Sequence, residues 1–260
     1  MGKGKQILLL VFLIMLLFVI NYSFLDSFVV RFLDDSETGV VGRVIDGDTL
    51  VIGNQSVRLL GINSPERGEK YYEEAKKFLE NAVLNKTVEL EFGRDKYDLY
   101  KRKLAYIYYD NRNVNLEIVK EGYANFYFLS GKDKHYNDFS EAWNKCIDNN
   151  RNLCEKSKYE CANCIVLKEL DVKEQKVVLE NVCAFDCSLD KWTIKDEGRK
   201  KFVFNSFILK KSSNVNIIIG NETNSENTFY WKEYDYVWTS SSDSLFLRDD
   251  EGKLVLWKGY

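Results

Sequence analysis

Asp46-Gly-Asp48-Thr49 sets two carboxylates on either side of a glycine. At a strand end such a pair can hold a hard cation through oxygen ligands, although the same triplet also reads as a plain turn. Further on, Arg58-Leu-Leu-Gly-Ile-Asn63-Ser64-Pro65-Glu66 brackets an apolar strand with a guanidinium and a carboxylate. Asn63 adds an amide oxygen suited to the same cation, and Pro65 fixes the backbone just before Glu66. A third stretch, Asp98-Leu-Tyr100-Lys101-Arg102-Lys103-Leu104-Ala105-Tyr106, brings a second arginine in a basic cluster at a strand start. A carboxylate can take a proton from water, a divalent cation can polarise a phosphate, and guanidinium forks can stabilise charge developing on its oxygens. Those are the parts of phosphodiester hydrolysis. The bland alternative for Arg58, Glu66 and Arg102 is a solvated network of ion pairs.

These residues must be positioned by short elements. Val40–Ile45, Thr49–Ile52, Val57–Leu60, Val88–Phe92 and Leu104–Tyr108 carry strand patterns, with turn signals at Asp46-Gly-Asp48 and Gly53-Asn54. Tyr72, Ala75, Phe78, Leu79, Ala82 and Val83 recur at helical spacing, so Glu69–Leu84 reads as an amphipathic helix, and Val114–Lys120 and Asn137–Asn150 also read as helices. Five strands with inserted helices fit a small closed barrel of the OB type. Phe126, Tyr127 and Phe128 suit either a base-stacking face or core packing. His135 is expected on the surface near a helix start.

Composition narrows the chemistry. The 260 residues suffice for one large or two small domains, and 37 basic against 40 acidic residues leave a net charge of −3. Bulk charge therefore gives no polyanion binding, and a nucleic-acid site must come from a local basic cluster. A single histidine excludes two-histidine zinc motifs, and neither a P-loop nor a G-x-G-x-x-G fingerprint is present.

Lys3 and Lys5 precede an unbroken apolar run from Ile7 to Ile20, followed by the acids Asp26, Asp34 and Asp35. The run reads as an uncleaved signal-anchor and transmembrane helix with its N-terminus inside, or else as a cleaved signal peptide. Either way the body is expected outside the cytoplasm, membrane-anchored or secreted. Cys146, Cys154, Cys161, Cys164, Cys183 and Cys187 cluster centrally. In an oxidising compartment they read as disulfides at a domain junction; Cys161, Cys164, Cys183 and Cys187 could instead ligate zinc.

The three motifs I-D-G-D-T, R-L-L-G-I-N-S-P-E and D-L-Y-K-R-K-L-A-Y-I-Y occur in order between Ile45 and Tyr108, and in this the stretch from Gly39 to Leu153 resembles the staphylococcal nuclease family. The resemblance implies an OB barrel and calcium-dependent cleavage of DNA and RNA. It implies Glu66 as the base that activates water, and Arg58 and Arg102 as the arginines that bind the phosphate. Asp48 would ligate Ca2+ directly, Asp46 largely through water, and Ser64 through its carbonyl. Asn63 stands where the family usually has an aspartate, which removes one negative charge from the cation site. Tyr100 matches a tyrosine that contacts the nucleotide, while Lys101 and Lys103 replace glycines and should add phosphate attraction.

Beyond Cys164 short strand patterns dominate, from Val177–Leu179 through Leu254–Trp257, and suggest a β-sandwich. Leu189-Asp-Lys-Trp192-Thr-Ile-Lys-Asp196 and Ser244-Leu-Phe-Leu-Arg-Asp-Asp-Glu-Gly252 resemble the lamin-tail domain, an immunoglobulin-like sandwich with a binding role. Trp192 is expected in its core. The expected organisation is an anchor over 1–27, a linker over 28–38, a nuclease barrel over 39–157, a cysteine-bearing linker over 158–164 and a sandwich over 165–260. A monomeric endonuclease is the leading expectation. A silent nucleic-acid-binding barrel, or a surface-attachment protein with a vestigial barrel, is the alternative.

Overall fold

The computed structural model describes residues 36–128 and 131–260, together with Gly4 and Lys5. The apolar run Ile7–Ile20 lies outside the described residues, among which no helix is long and apolar enough to cross a membrane. Strands β1 (Ser36–Asp46), β2 (Thr49–Ile52) and β3 (Gln55–Leu59) form a meander, and β4 (Ile62–Asn63) follows at once. Helix α1 (Tyr72–Val83) buries Ala75, Leu79 and Val83, one stripe at helical spacing. Strands β5 (Thr87–Tyr97), β6 (Lys103–Tyr109) and β7 (Arg112–Asn113) come next. Helix α2 (Val114–Lys120) is capped by Asn113, whose side chain accepts from the Leu116 amide. Strand β8 (Asn125–Phe126) pairs with β4, and helix α3 (Tyr136–Asp148) closes this half.

The sheet order is β3-β2-β1-β5-β6-β7, and β3 also pairs with β6 in parallel, so five strands close into a barrel. Asn115 ties the closure from inside. Its side chain donates to Leu60 O at 2.8 Å and Ala105 O at 3.2 Å and accepts from Ile107 N at 3.0 Å. Phe126 and Phe128 are buried, so the core reading holds for both rather than a stacking face. His135 is not a surface residue: its ring is half-buried against Tyr106, and Nε2 lies 2.9 Å from Glu91 Oε1.

The second half is entirely strands and turns after two short 3₁₀ segments: β9 (Ile165–Asp171), β10 (Lys176–Asn181), β11 (Cys187–Ser188), β12 (Thr193–Lys195), β13 (Lys201–Val203), β14 (Ile208–Leu209), β15 (Asn214–Ile219), β16 (Thr228–Trp231), β17 (Ser244–Arg248) and β18 (Leu254–Gly259). Two four-stranded sheets, β16-β15-β10-β9 and β13-β12-β17-β18, enclose an apolar core that includes Trp192, Ile194, Val215, Ile217, Trp231, Trp238 and Leu247. Strands β9 and β16 have no counterpart in the sequence expectation. β9 lies at the sheet edge with one residue buried and the rest half-buried or exposed, and β16 joins β15 in parallel, so neither shows clean alternation with one buried face.

All six cysteines are paired, as Cys146–Cys154, Cys161–Cys187 and Cys164–Cys183. The four cysteines of the zinc alternative are thus taken up by two disulfides. Residues 38–260 form one compact unit. Phe246, Leu254 and Trp257 of the second half pack into the barrel-side core, where the rings of Trp143 and Phe246 lie 5.5 Å apart. Arg248 reinforces the join by donating to Leu153 O at 2.6 Å, and burial pulls its pKa down to about 10.

Candidate active site

The β1–β2 turn and the β3–β4 segment come together because Gly47 permits it. A Cβ at Gly47 would lie 2.7 Å from Ala75 Cβ and 2.8 Å from Ser64 Cβ, so only glycine lets the Asp46-Gly-Asp48 turn nest there. Register does the rest: Thr49 pairs with Arg58 across β2–β3. Asp48 Oδ2 accepts from Ser64 N at 2.7 Å, and Oδ1 accepts from Thr49 Oγ1 at 3.1 Å and faces Arg58 Nη1 at 3.1 Å. Arg58 Nη1 also donates to Leu59 O at 3.1 Å, and Nη2 donates to Asn63 Oδ1 at 3.3 Å. Asp48, Arg58, Asn63 and Ser64 therefore form one buried cluster.

Asp46 borders this cluster and accepts from Asp48 N at 3.1 Å. Burial and then the neighbouring Asp48 carboxylate push its pKa up. Two neighbouring carboxylates, with an amide oxygen at Asn63 beside them, make a hard, all-oxygen donor set that fits calcium chemistry.

The asparagine has a structural reason that the barrel alone does not reveal. Asn63 Nδ2 donates to Gly198 O at 2.8 Å and to Glu197 O at 3.4 Å, both in the loop between β12 and β13. An aspartate has no proton to give there, so its carboxylate would face two carbonyl oxygens.

Glu66 sits at the rim, its side chain 46% exposed, with Oε1 2.7 Å from Arg199 Nη2. Its backbone amide donates to Glu69 Oε2 at 2.9 Å, which fixes the turn after Pro65. Arg102 lies immediately before β6, two residues ahead of Leu104, the register partner of Arg58, and its side-chain contacts are with Asp98 and Tyr100 rather than with the buried cluster. Arg102 Nε donates to Asp98 Oδ2 at 2.7 Å, and its guanidinium lies 5.6 Å from the centre of the exposed Tyr100 ring. Burial raises the Asp98 pKa, but the bonds from Arg102 outweigh it and hold the carboxyl below its usual range. Lys101 adopts a left-handed φ of 62° and its carbonyl accepts from Gln55 at 2.8 Å; Lys103 lies over the Phe92 ring at 5.8 Å. These residues form a basic and aromatic flank.

Sequence reasoning missed the contribution of the second half. Glu197 Oε1 accepts from Phe128 N at 3.2 Å, and Arg199 pairs with Glu66. Burial, then the Asp243 carboxylate, pushes the Glu197 carboxyl up to about 8 and that of Asp196 up to about 6. The available signal was the charged turn Lys195-Asp-Glu-Gly-Arg-Lys-Lys201 between two strands, but nothing in its spacing names a partner so far away in sequence.

A closed five-stranded barrel with this cluster of carboxylates, amide and arginine defines an OB-type barrel of the nuclease-like kind. A family model described as staphylococcal nuclease homologue matches residues 56–156. The chain is 35% identical over 109 residues to a thermonuclease of Staphylococcus intermedius, covering 38% of this chain and 65% of that protein. It is 39% identical over 107 residues to an uncharacterized endonuclease of Haemophilus influenzae, covering 39% of this chain and 59% of that protein. With a thermonuclease of Staphylococcus hyicus the identity is 30% over 118 residues, covering 42% of this chain and 70% of that protein. The chain thus spans less than two thirds of the first two relatives. It belongs to the staphylococcal nuclease homologue family.

Proposed function

We propose that this chain is a calcium-dependent endonuclease that hydrolyses phosphodiester bonds of DNA and RNA. The observation that carries the reading is the convergence of Asp48, Arg58, Asn63 and Ser64 on one buried cluster beside Glu66. In this reading Asp46, Asp48, the Asn63 amide oxygen and the Ser64 carbonyl would hold the cation. A bound calcium ion would supply Lewis-acid polarisation of a phosphate oxygen. The Glu66 carboxylate takes a proton from the attacking water, which needs the exposed position that it has. Arg58 and Arg102 stabilise charge on the phosphate oxygens through forked hydrogen bonds. Tyr100, Lys101 and Lys103 contact the strand on either side, with Tyr100 free to stack on a base.

The test is digestion of plasmid DNA and of RNA by the purified protein, with calcium and with chelator. Cleavage of both, abolished by chelation and restored by calcium, is expected. A folded protein that cuts neither polymer at any calcium concentration would overturn the reading.

The Lys3 and Lys5 charges ahead of the Ile7–Ile20 run support an anchored, outward-facing protein, and three disulfides are in keeping with an oxidising compartment. Protease accessibility of intact cells tests it: the 36–260 region should be cut from outside. The strand-rich second half, with Trp192 in its core, is compatible with a lamin-tail-like sandwich that serves attachment.

A further inference from the structure

The β12–β13 loop is fastened to the barrel at several points. Gly198 O receives the Asn63 amide at 2.8 Å, and the Glu197 carboxyl oxygen receives Phe128 N at 3.2 Å. Lys195 and Lys201, on the flanking strands, both pair with Glu69, at 3.4 Å and 3.5 Å. Within the second half itself, Lys200 Nζ donates to Tyr236 O at 2.9 Å. Asp196, Glu197 and Gly198 are buried. Arg199 differs from all of these. It stands at the tip with 63% of its side chain exposed, and its contact is Nη2 to Glu66 Oε1 at 2.7 Å.

We propose that Arg199 is a third arginine of the nucleic-acid interface, supplied by the second half of the chain, and that it exchanges Glu66 for a backbone phosphate when a strand binds. The inference rests on the nuclease reading only for the task given to Glu66. A general base acts within about 2.6–3.2 Å of the water that it deprotonates. That water attacks from about 3–3.5 Å. A guanidinium already in contact with the base is therefore within a few ångströms of the scissile phosphate. From there the Arg199 side chain reaches the scissile phosphate or the next one along the strand. An ion pair this exposed adds little to stability, so giving it up costs little. The phosphate offers the same fork geometry and more negative charge. Because the loop is already fastened, ordering Arg199 carries a small entropic cost.

The experiment is fluorescence anisotropy of labelled single-stranded DNA and RNA oligonucleotides with the full chain, in chelator so that nothing is cut. Arg199→Ala should weaken binding about three- to tenfold and reduce the slope of log affinity against log salt by about 0.7. Arg199→Lys should keep most of that slope. Glu66→Gln should tighten binding by removing the competitor for the guanidinium, and the gain should vanish in Glu66→Gln/Arg199→Ala. Unchanged affinity and slope in Arg199→Ala would overturn the proposal. So would tighter binding, which would make the loop an obstruction, or no measurable binding by the parent protein. Calcium-dependent cleavage with an Arg199→Ala variant that binds normally would sink this inference alone. Absent cleavage with Arg199-dependent binding would sink the nuclease reading alone.

Discussion

At the floor of the site Arg58 and Asp48 form an ion pair whose side chains are 10% and 6% exposed, whereas at the rim Arg199 and Glu66 form the same kind of pair with 63% and 46% exposed. The chemistry of the two pairs is alike, but their energetics are not. Removing one member of a buried pair strands a charge in a low-dielectric interior, while an exposed pair is screened and nearly neutral in stability. The floor therefore cannot be altered without touching the fold. The rim pair can change partners at little cost to the fold.

The largest expected contrast is with pH. Glu197 belongs to the buried side, and its carboxyl is pushed from an ordinary value near 4.5 up to about 8 by burial and then by Asp243. The folded state then holds a proton that the unfolded chain has lost. That stabilisation, up to about 5 kcal/mol, is full below pH 4.5 and disappears as pH rises through 8. Chemical denaturation between pH 4.5 and 8.5 should show falling stability, and Glu197→Gln should flatten the curve. A parent protein whose stability rises across that range would contradict the buried state of Glu197.

Next in size is Arg58→Ala, which should cost about 3–5 kcal/mol in chelator, because Asp48 loses its countercharge. Calcium should restore part of the loss. A cost below 1 kcal/mol in urea titration would erase the difference between floor and rim. Glu66→Gln should do the reverse, slowing cleavage by at least about a hundredfold while leaving the melting temperature within a degree or so. Parent-like cleavage by that variant would remove Glu66 from the role of base. Asn63→Asp has the smallest expected effect, a loss of about 1–3 kcal/mol, since the β12–β13 loop then presents its carbonyls to an acceptor. A melting temperature equal to or above the parent's would show that the Gly198 contact does not matter.

The floor was legible in the sequence because it is local. Thr49 and Arg58 are hairpin partners, and Asn63 and Ser64 follow within a few residues, so motif order and strand alternation bring them together. Gly47 announces the turn, and the structure adds only why glycine is needed. The pairing of cysteines was open in the sequence since spacing does not choose among connectivities, and only the packing of Cys161 and Cys164 beside the sandwich decides it. Arg199 and Glu197 were invisible for the opposite reason. Their partners at Glu66 and Phe128 lie in the other half of the chain, and nothing local in a charged hairpin tip distinguishes a solvated turn from one seated on a reactive carboxylate. The same separation made Asn63 look like a simple loss of charge, when it is half of a donor–acceptor match.

Trp143 of α3 touches both Phe246 and Trp257, so its largest apolar surface is shared property of the two halves. Genetic recombination that grafted another C-terminal module onto this barrel would leave a bare indole facing water unless the newcomer brought its own aromatic pair to the same spot. A barrel freed of its second half should therefore bare this indole, and its tryptophan emission should move to longer wavelength.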